Sequence, residues 1–282
     1  EIDPNTTARV PVFLSEDCRY FQDAYQGMPL EGYTPMFQSL LDHPDITVEL
    51  GVDAASRLTL DGKGVKKSEQ RAAQLFRQAA EKGDISAQNA WGTAQASGQG
   101  VRRNYREAAR WFRKAAEQGL AMAQYNLGYL YAYGRGVPKD ENAAIDWYSR
   151  AANQGLADAQ YSLGWTYLNS KGENQSDTKA VHWFEKAAEQ DNLKAQNNLA
   201  YMYAEGRGYA QDPVKAVQWY NRAAERGYAE AQYNLGFMYE QGRGVPQDYN
   251  KAVEWYRKAA EQNEPAAQYS LGLMYGQGTG VP

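Results

Sequence analysis

An all-α solenoid of 36-residue helix-turn-helix units is written into this 282-residue chain by three recurrences. The dipeptide Ala-Gln returns at Ala87, Ala123, Ala159, Ala195, Ala231 and Ala267, each 36 residues after the last. A Gly-x-Gly turn keeps the same period at Gly62, Gly98, Gly134, Gly206, Gly242 and Gly278, and Ser170 stands in the one gap. A column of helix-capping residues, Ser68, Asn104, Asp140, Ser176, Asp212 and Asp248, keeps it too. Six anchors without an insertion do not arise by chance. Units of this size cannot bury an apolar face alone and must stack on their neighbours.

Residues 1–53 stand outside the period. Arg9-Val-Pro-Val-Phe13 and Asp45-Ile-Thr-Val-Glu-Leu50 read as strands, and Thr34–Leu41 as a short helix. Two such strands have no sheet to join, so loose packing is expected for this segment. The repeat phase is already kept by Ala55-Ser-Arg-Leu58 and Gly62-Lys-Gly-Val65, which puts a boundary near Asp53–Ala55. The chain then divides into an irregular α/β segment, 1–53, and a solenoid, 54–282. The solenoid units are 54–82, 83–118, 119–154, 155–190, 191–226, 227–262 and a partial 263–282. The last unit stops after a first helix, so the array is expected to continue beyond Pro282.

Residues 119–154 show how one unit works. The first helix covers roughly Ala121–Tyr133, with Leu127, Leu130 and Tyr131 at helical spacing. Gly134-Arg-Gly-Val-Pro138 breaks it, because Gly supplies a left-handed turn and Pro cannot continue a helix. Asp140 opens the second helix, which carries Ala144, Trp147, Tyr148 and Ala151, and Gly155 closes it. Every residue in the capping column can accept from the orphan N–H groups of a first turn. Pro213 occupies a first helical position, where its missing N–H costs nothing. Asn104 and Glu107 have capping-box spacing. The closing column, Gly83, Gly119, Gly155, Asp191, Gly227 and Asn263, holds the residues that best tolerate a left-handed cap.

One column of the first helix stays small: Gly92, Gly128, Gly164, Ala200, Gly236 and Gly272. A mid-helix Gly costs about 1 kcal/mol against Ala, so a close approach of the paired helix is expected there. The pairs Trp111-Phe112, Trp147-Tyr148, Trp183-Phe184, Trp219-Tyr220 and Trp255-Tyr256 supply the facing rings and read mostly as core.

The pattern Ala-x-Ala-Gln-Tyr-x-Leu-Gly-x-x-Tyr-x-x-Gly-x-Gly-Val-Pro, followed by Ala-x-x-Trp-Tyr-x-Lys-Ala-Ala-Glu-Gln-Gly, resembles the Sel1-like repeat, a relative of the tetratricopeptide repeat. The resemblance implies a right-handed superhelix with a concave groove for protein or peptide partners, and no catalysis. One unit departs from it: Ser170-Lys-Gly-Glu replaces the usual turn, so a looser loop is expected there. The N-terminal segment resembles part of UDP-galactopyranose mutase, a flavoenzyme of cell-surface polysaccharide synthesis. The likeness is carried by Arg9-Val-Pro-Val12, Tyr20-Phe-Gln-Asp-Ala-Tyr-Gln26, Gly32-Tyr-Thr34, Leu41-Asp-His-Pro-Asp-Ile46 and Glu49-Leu-Gly51. That resemblance implies a link between substrate-binding helices and a flavin-binding sheet, with Tyr20 as a substrate-contacting aromatic. Phe13 stands where the family has Arg, and the flavin-binding glycine motif is absent.

If repeating columns are core, partners should be read by columns that vary. Four first-helix positions share one face by the i, i+4, i+7 rule. From them come the candidate binding residues Tyr125, Tyr129, Tyr133, Tyr161, Trp165, Asn169, Asn197, Tyr201, Glu205, Tyr233 and Phe237. Such rings offer large contact area at low entropic cost. Packing on the neighbouring repeat is the competing reading.

Little else carries chemistry. His43 and His182 are far apart, and His182 reads as a surface residue. Cys18 is the only cysteine, so no internal disulfide forms, and a lone Cys suits cytoplasm or periplasm alike. No metal-spaced cluster occurs, and the Gly-x-Gly turns follow a helix rather than a strand. No cofactor is expected. A net charge of −4 disfavours a generic nucleic-acid surface, and no apolar run is long enough to insert in a membrane. Two functions remain: a non-enzymatic scaffold for a peptide or protein, or an appendage of a mutase.

Overall fold

The computed structural model describes residues 68–280. The strands and helix expected within 1–53, the boundary near Asp53–Ala55, and Cys18, Tyr20 and His43 lie outside the described residues. Twelve α-helices follow one another among the described residues, with no strand. They are α1 (Glu69–Glu81), α2 (Ile85–Ser97), α3 (Tyr105–Glu117), α4 (Ala121–Tyr133), α5 (Glu141–Asn153), α6 (Ala157–Asn169), α7 (Asp177–Glu189), α8 (Leu193–Glu205), α9 (Pro213–Glu225), α10 (Ala229–Gln241), α11 (Tyr249–Glu261) and α12 (Pro265–Gln277). Even-numbered helices are the first of each repeat and odd-numbered helices the second. The chain forms two compact units, one ending at Ala151 and the other beginning at Ala152. In each, successive helices pack on one another as in a helical solenoid, α1 through α4 in the first and α6 through α12 in the second.

The caps are made as the sequence expects. The side chains of Ser68, Asn104, Asp140, Ser176, Asp212 and Asp248 each accept from the backbone N–H three residues on, at 3.0–3.3 Å. Each such cap is worth about 1 kcal/mol. Glu107 donates its N–H to Asn104, but its carboxylate turns to Arg110 at 2.7 Å, so this pair is half a capping box. All six closing residues have positive φ, including Asp191 at 63° and Asn263 at 64°.

A second bond fixes each hairpin. The N–H of the capping residue donates to a carbonyl nine positions back: Asn104 to Gln95, Asp140 to Tyr131, Ser176 to Tyr167, Asp212 to Tyr203 and Asp248 to Tyr239, at 2.8–3.0 Å. The Ser170 loop keeps this bond, so it is not looser. Ser170, in place of the first turn glycine, is buried and its hydroxyl donates to the Thr166 carbonyl at 2.6 Å, while the second glycine is kept as Gly172, with φ 68°, and opens a 3₁₀ turn, Gly172–Asn174.

The core forms where the small column meets a ring. A Cβ built on Gly92, Gly128, Gly164 or Gly236 would lie 2.8 Å from the ring of Phe112, Tyr148, Phe184 or Tyr256. At these four positions glycine leaves room for the ring, and Ala200 takes the same place in the hairpin of Tyr220. The second ring of each aromatic pair is buried in the core, and Trp111, Trp147, Trp219 and Trp255 pack against the core from its margin. Trp111, Trp147, Trp183, Trp219 and Trp255 are half-buried. Each carries its own Lys or Arg, three residues on, 4.0–5.3 Å above the ring. Only the second ring of each pair faces the adjoining first helix.

The repeated Gln is a structural bridge. Gln124, Gln160, Gln196 and Gln232 are buried, and each donates Nε2 to the carbonyl eight residues back, at 3.0–3.2 Å. The oxygens of Gln160 and Gln232 accept from a Gln of the next hairpin, from Gln190 at 2.7 Å and from Gln262 at 2.8 Å. Arg226 occupies that donor position for Gln196 and turns to Asp191 instead, leaving Gln196 Oε1 buried without a partner.

Candidate partner-binding face

The unit ending at Ala151 presents three of the predicted rings on α4. Tyr125 is half-buried and rests on the core ring of Tyr148, centroids 5.7 Å apart. Burial, then the nearby tyrosines, pushes the Tyr148 phenol well above its ordinary value. Tyr129 and Tyr133 lie against each other at 4.6 Å, and Tyr133 is 59% exposed. Arg135, in the turn after α4, lies over Tyr105, Tyr129 and Tyr133 at 5.6, 5.2 and 5.8 Å.

The unit beginning at Ala152 presents the remaining residues on α6, α8 and α10. Trp165, Tyr201 and Phe237 hold the same position of these successive helices and are 44%, 42% and 37% exposed. Trp165 stacks on Tyr161 at 6.4 Å, and Tyr161 in turn rests on Phe184 at 5.9 Å. Tyr233 rests on Tyr256 at 5.6 Å in the same way. Asn169 and Glu205 are exposed, and Glu205 pairs with Arg243 at 3.1 Å. The predicted face therefore splits by column. Its ring column at Trp165, Tyr201 and Phe237 is open, while Tyr125, Tyr161 and Tyr233 are lids over core rings.

Asn197 is not open to a ligand. It is 6% exposed, and its side-chain oxygen accepts from Asn234 Nδ2 at 2.9 Å. Asn89 accepts from Asn126 in the same register, at 3.0 Å. An Asn in the lid column thus bridges to the next hairpin instead of covering a ring.

A further cluster was missed by sequence reasoning. Tyr209 stands where every other turn but that of Glu173 has Val, and that exception was the signal. Its ring stacks on Tyr203 at 5.2 Å, and both phenols donate to Glu185, at 2.9 and 3.4 Å. His182 is exposed and meets Trp183 edge-on at 5.2 Å. Among the described residues no three His, Cys, Asp or Glu gather as a metal site, and no helix is long and apolar enough to cross a membrane.

With the hairpin geometry in place, comparison with known proteins decides the family. The Sel1 repeat model matches residues 85–120, 121–156, 157–192, 193–228, 229–264 and 265–282, well over half of the chain. The chain belongs to the Sel1 repeat family. Its Sel1 repeats are similar to the crystal structure of a protective antigen of uropathogenic Escherichia coli displaying an SLR fold. That likeness has a TM-score of 0.74 and 34% identity, and covers 89% of this chain and 52% of that one. They are also similar to a Sel1 repeat protein from Oxalobacter formigenes, with a TM-score of 0.67 and 32% identity over 75% of this chain and 90% of that one. The Sel1 repeat fold is typical of protein-interaction scaffolds. Ahead of the Sel1 repeats, residues 1–77 match the UDP-galactopyranose mutase model. A dTDP-fucopyranose mutase of Escherichia coli is 49% identical over 51 residues, 18% of this chain and 14% of that protein. The UDP-galactopyranose mutase of Mycoplasma pneumoniae is 44% identical over 55 residues, 19% of this chain and 14% of that protein. The chain therefore spans 14% of the length of either curated relative.

Proposed function

We propose that this chain is a non-enzymatic scaffold that binds a peptide or protein partner on the ring face of its first helices. The observation that carries the reading is the open column Trp165, Tyr201 and Phe237. Every half-buried tryptophan on a second helix is roofed by the chain's own cation, whereas among the described residues no such cation lies over Trp165 or Phe237. Exposed rings aligned on successive helices cost solubility and are kept where a partner covers them. Asn169 and Glu205, at the ends of the helices that carry Trp165 and Tyr201, add groups that can hydrogen-bond. No cofactor, metal or nucleic acid enters this reading.

The test is the triple variant W165A/Y201A/F237A. Exposed substitutions change stability by about 0.5 kcal/mol or less each, so the circular dichroism melt should stay close to wild type. Affinity capture with quantitative mass spectrometry should show partners retained by wild type and lost by the variant. If the variant unfolds, the rings are core and the reading fails.

A second reading follows from the N-terminal likeness: the chain as a fragment or appendage of a mutase flavoenzyme in cell-surface polysaccharide synthesis. Bound flavin would absorb near ~450 nm. We expect a colourless protein that stays colourless when titrated with FAD. A flavin band that survives dialysis would replace the scaffold reading.

A further inference from the structure

The residue between the two turn glycines varies along the repeats: Gln99, Arg135, Lys171, Arg207, Arg243 and Thr279. Arg207 is held by Asp177 through two bonds, of 3.0 and 2.7 Å. Arg243 pairs with Glu205. Arg135 has no carboxylate partner among the described residues. The reason is local. Asp177 is the first residue of its helix, and the equivalent residue facing Arg135 is Tyr105, whose hydroxyl is 3.5 Å from Nη1.

The geometry that remains is that of an anion receptor. Three tyrosine rings lie within cation–π reach of the guanidinium and hold it near the turn. Beyond the long bond from Nη1 to the Tyr105 hydroxyl, its N–H donors meet no carboxylate among the described residues, and the guanidinium fork matches a carboxylate in two-bond geometry. Residues 68–151 contain twelve Lys and Arg against eight Asp and Glu, although the whole chain carries −4.

We propose that Arg135, seated on Tyr105, Tyr129 and Tyr133, is the docking point for a carboxylate of an acidic peptide segment in the partner. This rests on the reading of the first-helix rings as a binding face and adds the partner's charge. The acidic segment places a carboxylate on Arg135 and lays its apolar side chains against Tyr129 and Tyr133.

The test uses the full chain and fluorescence anisotropy. The probe is a fluorescein-labelled Glu-Phe-Glu-Glu-Phe-Glu peptide, with its Gln-Phe-Gln-Gln-Phe-Gln counterpart. The acidic probe should bind about tenfold tighter or more, and R135A should abolish that preference. Y105D should abolish it as well, by giving Arg135 the internal partner that Arg207 has. An acid at a helix start is favourable, so the fold should survive. R110A removes one exposed charge of the same unit and should leave the preference intact. Equal losses in R110A and R135A, or no effect of Y105D, would overturn the proposal in favour of diffuse charge. Stronger competition by an oligothymidylate than by unlabelled acidic peptide would overturn it in favour of a phosphate polymer. Equal binding of both peptides would overturn it while leaving the ring-face reading standing. Binding of neither would count against both.

Discussion

One substitution in the Gln bridge tests how these repeats are held together. In the other bridges of this unit a Gln donates to the buried oxygen, but Arg226 leaves Gln196 Oε1 unpartnered. A buried acceptor without a donor costs about 1–3 kcal/mol. The ion pair that Arg226 makes with Asp191 is half-exposed, and such pairs contribute about 0–1 kcal/mol. Asp191 also keeps Arg222 at 3.1 Å. R226Q should therefore stabilise the chain by about 0.5–1.5 kcal/mol, read as a higher denaturant midpoint with unchanged slope. A lower midpoint would show that the Arg226 contacts outweigh the missing bond.

Glycines that look alike in the sequence do different work at the scale of the helix and its turn. Gly227 has φ +88° with nothing near a built Cβ, whereas Gly244 has φ +72° and would press that Cβ into the backbone of Pro213. G227A should cost only the left-handed backbone penalty, about 1–2 kcal/mol, as Asn263 at the equivalent position suggests. G244A adds a clash with main chain that cannot move alone and should cost at least about 2 kcal/mol more. Thermal melts of the two variants side by side would settle this, and equal losses would refute the close-approach account. This contrast also marks what was legible beforehand. Caps and positive-φ positions could be read because each demands a residue type locally, as Asp248 and Gly119 do. The small column could be read because a mid-helix Gly needs a packing reason. The sequence does not say which ring of Trp183-Phe184 turns inward, that Asn197 bridges to Asn234, or that Arg135 lacks an anion. Each depends on the side chain that the next hairpin brings opposite.

The whole chain is rich in tyrosine, with 22, and the fold gives these phenols unequal acidities. Tyr209 is pushed up to about 12, first by burial and then by its hydrogen bond to the Glu185 carboxylate. Tyr203 is raised by the same causes, and burial raises Tyr148, Tyr220, Tyr228 and Tyr256. A phenol whose folded pKa lies above its unfolded value of 10.0 stabilises the fold fully below pH 10, and that contribution is lost as pH rises through the folded pKa. The melting temperature should hold up to about pH 10 and fall between there and about pH 12. Phenolate absorbance should show Tyr148, Tyr220, Tyr228 and Tyr256 ionising late, together with loss of helicity. E185Q removes the carboxylate that Tyr203 and Tyr209 share, so Tyr209 should ionise at lower pH than in the wild type while Tyr148, Tyr220, Tyr228 and Tyr256 stay late. An unchanged titration curve for E185Q would mean that the Glu185 cluster does not hold in solution.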